Sequence, residues 1–398
     1  MPVMLSEFVI GRRGEANAAG AFRKLAPGSA WWLVGLIGIL TAFLILGFYI
    51  VVSGWTLEYI FQAVGNGFAN KDTKTLTEVF TAFSTDTFRP LLWMTLFLII
   101  SAGIVLAGVT KGIERSSKFL MPLLLLIIIA LVIRAVTLPK GFDGIQFLFQ
   151  PDFSKINSAV ILSAMGQAFF SLSLGMGCMI TYGSYINKKN NLANTVVEVT
   201  LLDTLVAVLA ASAIFPAVFS LGINPAQGPE LVFITLPNVF SHMPGGYLWA
   251  ILFFVLLSVA ALTSVISLLE VIVAFFVEEF KFSRKTTIIL TSIGVFIFGI
   301  LSSFSLGIWK DVTIFGQGFF ALFDSITSKF FMPAGGMFIA LFAAWKIKKS
   351  DLRDEISSAG KFKIGFFAVY LFLVRYIAPF GILLIFLNQL GLAKWLGL

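Results

Sequence analysis

Small polar residues embedded in apolar sequence carry most of the chemistry this chain offers. The run Gln167-Ala168-Phe169-Phe170-Ser171-Leu172-Ser173-Leu174-Gly175-Met176-Gly177 sets two serines and two glycines among large apolar neighbours. These residue types weaken a helix, and inside a bilayer a break survives only where a cavity or other protein groups satisfy the freed backbone. The same spacing also suits close packing of helices through a small face, Ser171 to Gly175 or Ser173 to Gly177, and composition leaves the two readings level. Asn194 and Glu198 stand one turn apart on one helix face, so an amide oxygen and a carboxylate could serve a hard monovalent cation. Equally, Asn194 opens a helix near the cytoplasm and Glu198 snorkels to water. Asp203 lies deeper, with no role evident. Thr263 and Ser264, with the Ala260 carbonyl three and four residues earlier, present further oxygens, although such hydroxyls more often bond back to their own helix. Asp324 is a carboxylate within a span and hence a functional candidate unless it pairs with Lys329. It precedes Met332-Pro333-Ala334-Gly335-Gly336, which is expected to interrupt a second helix. Glu278 and Glu279, followed by Lys281, Arg284 and Lys285, fit a solvated turn.

The elements that hold these groups must be membrane helices. Of 398 residues 58% are hydrophobic, against 28 basic and 20 acidic ones, which excludes a water-soluble fold. A single cysteine, Cys178, excludes a disulfide framework, and a single histidine, His242, leaves no imidazole pair for a metal. His242 falls in a loop and is given no role, and a membrane enzyme lacks a nucleophile beside a base. The charge of +8 does not mark a nucleic-acid partner, because the basic residues fall between apolar runs. Nine stretches long enough to cross the bilayer, which takes about 20 helical residues each, begin near Trp31, Pro90, Phe119, Ala159, Thr195, Tyr247, Thr286, Gly318 and Gly365. Met1 to Ile10 is apolar but too short, and reads as the tail of a helix. With alternating spans, one side collects eighteen Lys and Arg, in the loops around Arg12–Lys24, Lys111–Lys118, Lys188, Lys281–Lys285 and Lys346–Lys363, and the other collects eight. The richer side is cytoplasmic by the positive-inside rule. Lys329 and Arg375 remain within spans. Two opposite-side connections, Phe61 to Arg89 and Gly222 to Gly246, are long enough to hold structure of their own.

Taken in order, Glu7-Phe8-Val9-Ile10-Gly11-Arg12-Arg13-Gly14, Ser53-Gly54-Trp55-Thr56-Leu57, Pro151-Asp152-Phe153-Ser154-Lys155 and Phe170-Ser171-Leu172-Ser173-Leu174-Gly175 resemble the neurotransmitter:sodium symporter family, in its bacterial members with eleven spans. The resemblance is collinear over essentially the whole chain. It implies an all-α polytopic membrane protein of LeuT-like inverted-repeat fold, multi-pass in the cell's inner (plasma) membrane. The function it implies is a sodium-coupled symporter for an amino acid or related amine, working by alternating access. Sodium ions would be the coupling ions and no cofactor is needed. Carried over by position, the resemblance makes Tyr49, Ile45, Phe170, Ser173 and Met176 the substrate-binding residues. It makes Ser171 and Asn194 ligands of one sodium, and Ala260, Thr263 and Ser264 ligands of another. Glu198 would supply the charge that chloride supplies in relatives, so transport is expected to be chloride-independent. Asp324 matches an outer gate, and Glu278 with Tyr185 an inner one.

In domain terms the whole of 1–398 is one transporter unit, with 1–10 the end of the second family span, 159–346 the second inverted repeat and 363–398 an additional C-terminal span. The first family span and most of the second have no counterpart here. A broken helix from Ala159 should have an inverted partner five spans earlier, whereas three complete spans and a stub precede it. On this reading the chain is incomplete: nine full spans plus a stub. The alternative function is a non-transporting remnant or scaffold that needs the missing helices from elsewhere.

Overall fold

Long apolar runs fold into helices that satisfy their own backbone, and the computed structural model contains almost nothing else. It describes residues 1–220 and 231–389. Among these, eight helical stretches are long and apolar enough to cross a membrane, beginning at Trp32, Arg89, Val109, Leu192, Gly246, Arg284, Phe319 and Phe367. The ninth expected span, from Ala159, is the one that breaks.

In chain order the helices are α1 (Pro2–Gly14), α2 (Ala18–Leu25), α3 (Trp32–Val64), α4 (Thr73–Ser84), α5 (Arg89–Leu106), α6 (Arg115–Val136), α7 (Gly141–Phe149), α8 (Ser158–Ser171) and α9 (Cys178–Tyr185). There follow α10 (Leu192–Ser220), α11 (Leu236–Ser241), α12 (Gly246–Phe280), α13 (Arg284–Phe304), α14 (Phe319–Ile326), α15 (Met332–Leu341), α16 (Lys349–Ser357), α17 (Phe367–Phe372) and α18 (Ala378–Gln389). The last residues of the expected C-terminal span, 390–398, and the first part of the Gly222–Gly246 connection lie outside the described residues. At about 1.5 Å per residue, the 33-residue α3 and the 35-residue α12 exceed the hydrocarbon thickness. They pack against each other as the central pair of the bundle.

Two expectations need correction. The N-terminal apolar segment ends at Ile10, but its helix does not: α1 continues to Gly14. Nearly all of it is buried. Gly11 lets α1 lie directly on α9, where a Cβ at Gly11 would sit 2.0 Å from the Ile180 carbonyl oxygen. Arg12 is fully buried, and its guanidinium donates to Glu355 Oε1 at 2.5 Å, to the Glu355 carbonyl, and to the Asn190 carbonyl at 2.8 Å. The second correction concerns Met332-Pro333-Ala334-Gly335-Gly336, which does not interrupt its helix. The π turn Thr327–Phe331 runs straight into α15, and Pro333 falls at the start of that segment. The π turn has already displaced the hydrogen-bond register there, so the missing proline N–H costs little.

Ion pairs gather the basic loops at one end of the bundle, as the charge count requires. Arg13 pairs with Asp351 at 3.0 Å, Glu15 with Lys188 at 2.9 Å, and Arg23 with Glu279. Elsewhere the connection after α3 folds into α4, and its Thr73 hydroxyl accepts from Asn238 Nδ2 at 2.8 Å, so that connection and α11 dock on one another. His242 bonds back to the Asn238 carbonyl region of its own turn. Arg375 is accommodated by donating to the Ala344 carbonyl at 2.7 Å and lying 4.5 Å over the Trp345 ring. Lys329 and Asp324 form no ion pair.

Candidate ion and substrate site

The serine- and glycine-rich run resolves as a true break. Helix α8 ends at Ser171 and α9 begins at Cys178, with Ser173, Gly175 and Gly177 at φ of 54°, 78° and 78° between them. The close-packing reading holds as well, because a Cβ on Gly175 would meet the Met332 carbonyl oxygen at 2.2 Å. The freed Gly175 N–H does not go unpaired: it donates to Glu7 Oε1 at 2.9 Å, from a carboxylate that α1 buries completely. An amide stripped of its helical partner is thus matched to a strong acceptor in a place water does not reach.

Beside the break lies a cavity of about 430 Å³. Ile45 and Tyr49 of α3, Phe170, Ser171, Ser173 and Met176 of the break, and Thr263 and Ser264 of α12 all line it. Residues Ile113, Ser117 and Met121, before and along α6, close a further side. The Ala260 carbonyl, one turn from Thr263, accepts the hydroxyls of Thr263 at 2.8 Å and Ser264 at 3.3 Å. Both hydroxyls therefore bond back to their own helix. As donors to that carbonyl, they keep their oxygen lone pairs for a cation.

Asn194 and Glu198 do not join this cavity. Helix α10 starts at Leu192, and the Asn194 N–H donates to the capping Asn191 Oδ1 at 3.2 Å, so Asn194 sits in the first turn. Its side chain lines a separate groove with Leu5, Val197 and Tyr370. The residue of α10 that reaches the break is Asp203, nine positions and about 13 Å further along the helix axis. The Ser171 hydroxyl lies 2.8 Å from both Asp203 carboxylate oxygens. Sequence reasoning passed over Asp203 because the Asn194–Glu198 pair offered a ready one-turn spacing. The usable signal was depth, since Asp203 is the carboxylate of that span furthest from its charged flank.

Asp324 lines a second cavity, also about 430 Å³, with Gln167, Ser328 and Asn388. Phe170 borders both cavities and so stands between them. At the basic end, Glu278 Oε2 accepts the Asn17 N–H at 2.6 Å and the Asn17 side-chain amide at 3.0 Å. Tyr185 donates not to Glu278 but to Glu270 Oε1 at 2.8 Å, and Glu270 is held in turn by Arg284 Nη2 at 2.5 Å. Glu270 was not singled out from the sequence, although a carboxylate so far inside α12 fits the rule that intramembrane charges have partners.

A broken helix whose freed amide meets a buried carboxylate, beside a cavity rich in hydroxyls, is a transporter arrangement, and the comparisons agree. The model of the sodium:neurotransmitter symporter family matches residues 84–394, well over half the chain. The chain belongs to that family. An uncharacterized sodium-dependent transporter of Bacillus subtilis, YhdH, is 39% identical over 397 residues, which is 99% of this chain and 87% of that protein. One of Haemophilus influenzae is 38% identical, covering 98% of this chain and 87% of its own length. The crystal structure of MhsT in complex with L-phenylalanine superposes with a TM-score of 0.89 at 44% identity, over 98% of this chain and 88% of that one. This member of the sodium:neurotransmitter symporter family thus has the same inverted-repeat fold. It is a multi-pass membrane protein and a sodium-dependent transporter, not an enzyme.

Proposed function

We propose that this chain couples sodium entry to uptake of an amino acid across the bacterial plasma membrane by alternating access. The observation that carries this reading is the cavity at the break, lined by hydroxyls and apolar walls, one of whose serines, Ser171, is bonded at 2.8 Å to the Asp203 carboxylate. One sodium sits against Ser171 and Asp203, whose single negative charge and oxygen-only ligands suit a small hard cation. A second sits at the Ala260 carbonyl and the Thr263 and Ser264 hydroxyls. The substrate's polar end lies by Tyr49 and Ser173, and its side chain among Ile45, Phe170 and Met176. That apolar lining, with phenylalanine bound by MhsT, favours a large apolar amino acid.

The charge that makes transport chloride-independent is carried by Asp203 rather than Glu198, because only Asp203 reaches Ser171. Asp324 and Phe170 act on the outer side of the substrate. The Tyr185–Glu270–Arg284 chain and Glu278 act on the inner side. Residues 159–346, containing the break and both ion sites on α12 and α10, form the second repeat, and 363–398 an appended span. One elementary charge moved down 100 mV is worth about 2.3 kcal/mol, so two sodiums per cycle suffice for strong accumulation. The test is uptake of labelled L-phenylalanine by proteoliposomes carrying the full chain. Accumulation under an inward sodium gradient and none under potassium supports the reading; equal uptake under both overturns it.

A further inference from the structure

Ser267 lies one turn beyond Thr263 on α12, borders the cavity, and is joined to the other side of the break. Its Oγ donates to the Thr263 carbonyl at 2.9 Å and accepts the Tyr182 phenol at 2.8 Å. The direction of this chain is fixed. With the phenol proton already directed at Ser267 Oγ, the serine's own proton goes to the Thr263 carbonyl. A serine within a helix is ordinarily free to turn its hydroxyl outward or back along the helix, and the backward choice slightly bends the turn it spans. Tyr182 makes that choice for Ser267. The turn so held, Thr263 to Ser267, carries Thr263 and Ser264, which border the cavity and whose hydroxyls bond back to the Ala260 carbonyl.

Tyr182 belongs to α9, the inner half of the broken helix. One turn further on, Tyr185 bonds Glu270 at 2.8 Å, so two rungs with the same three-residue spacing on each helix join α9 to α12. A movement of α9 about the Gly175–Gly177 break gives up both rungs, and the upper one releases Ser267.

We infer that Ser267, oriented by Tyr182, is a positioning residue for the second ion site and the link through which sodium there favours the docked position of α9. The inference rests on the reading of Ala260, Thr263 and Ser264 as sodium ligands. By reciprocity, whatever docks α9 tightens sodium binding, and sodium tightens the docking. The rung makes no hydrogen bond to the Ser171–Asp203 pair, although Tyr182 and Ser267 border the same cavity as the substrate's apolar walls. Losing it therefore weakens sodium binding more than it weakens amino-acid binding at saturating sodium.

The experiment is sodium titration of labelled L-phenylalanine binding to the purified full chain, with S267A, Y182F, Y182F/S267A, S267T and T263A. For one lost neutral hydrogen bond, S267A and Y182F are each expected to raise the sodium half-saturation about three- to tenfold. Phenylalanine affinity at saturating sodium is expected to change less than the sodium half-saturation does, although both residues border the same cavity. The double variant matches the single ones, since both cut one chain, and S267T restores the parent curve. A sodium curve unchanged in S267A and Y182F while T263A shifts it overturns this inference alone, as do strictly additive effects in the double variant. A T263A variant with the parent's sodium curve overturns the ion-site reading and this inference with it.

Discussion

Replacing Asp203 by asparagine removes one charge and almost no volume from the proposed first ion site. Asn keeps an oxygen for the Ser171 hydroxyl, which now lies 2.8 Å from both carboxylate oxygens, so the helices have no reason to separate. What is lost is the attraction between carboxylate and sodium, about 4 kcal/mol for unit charges 4 Å apart at an effective dielectric of 20. Part of that is returned because the carboxylate no longer has to be desolvated. A net loss in the range of hydrogen bonds to charged groups, about 1.5–3 kcal/mol, raises the sodium half-saturation roughly ten- to a hundredfold. The missing charge also creates a demand for an anion. D203N is therefore expected to show uptake that chloride stimulates, where the parent chain is indifferent to exchange of chloride for gluconate. The assay is phenylalanine uptake by proteoliposomes, titrated with sodium in each anion, with E198Q and N194A alongside. A D203N curve like the parent's, or loss of sodium dependence in N194A or E198Q instead, refutes the placement of the site.

Further outcomes follow from the same geometry. Gly175→Ala forces a Cβ to within 2.2 Å of the Met332 carbonyl at a left-handed φ. It abolishes transport and lowers the thermal unfolding midpoint, the left-handed backbone alone costing about 1–2 kcal/mol; an unshifted midpoint would show that α15 yields easily. Arg12→Met removes the close partner of buried Glu355 and leaves it only Arg13 at 3.8 Å, a loss of about 3 kcal/mol at most, whereas adding Glu355→Leu recovers most of it; denaturation of both variants measures the difference. Tyr185→Phe cuts the rung to Glu270, which Arg284 still holds, and opens the inner side, read as faster labelling of the native Cys178 beside the cavity. Asp72 caps α4, and the hydrogen bonds from Thr75 hold its carboxyl below the usual aspartate range. The folded state then binds this proton less readily than the unfolded one, so the cap's contribution is full above the ordinary value of about 4 and disappears as pH falls through the depressed one. Hydrogen exchange in α4 should be flat from pH 7 to 5 after correction for intrinsic rates, and rise below about 4.

The helices were readable in the sequence because apolar length in a membrane leaves the backbone one choice, whereas the break was only half readable, because the glycines and serines that weaken a helix also suit close packing and composition left the two level. The cavity lining came from the family resemblance rather than from spacing, which by itself leaves Thr263 and Ser264 bonding back to their own helix; their adjacency, and the closeness of Ser171, Ser173 and Met176 at the break, made the carry-over by position hold. Depth along a helix was harder. Asn194 and Asp203 lie on the same helix about 13 Å apart, and nothing in their immediate neighbours says which reaches Ser171, which is set by how α8 and α10 pack. The same limit hid Glu270, whose partners Tyr185 and Arg284 come from other helices, and the Tyr182–Ser267 rung. It also made Pro333 look like an interruption, because the π turn that absorbs it has no distinctive residue pattern.

The claim that everything else depends on is that cations bind where α10 and α12 meet the break. The direct measurement is a crystal structure of the full chain grown with L-phenylalanine and thallium as a sodium surrogate, with anomalous difference density calculated. Peaks between Ser171 and Asp203 and beside Ala260, Thr263 and Ser264 are the predicted result. A peak between Asn194 and Glu198, or none at the break, would contradict it.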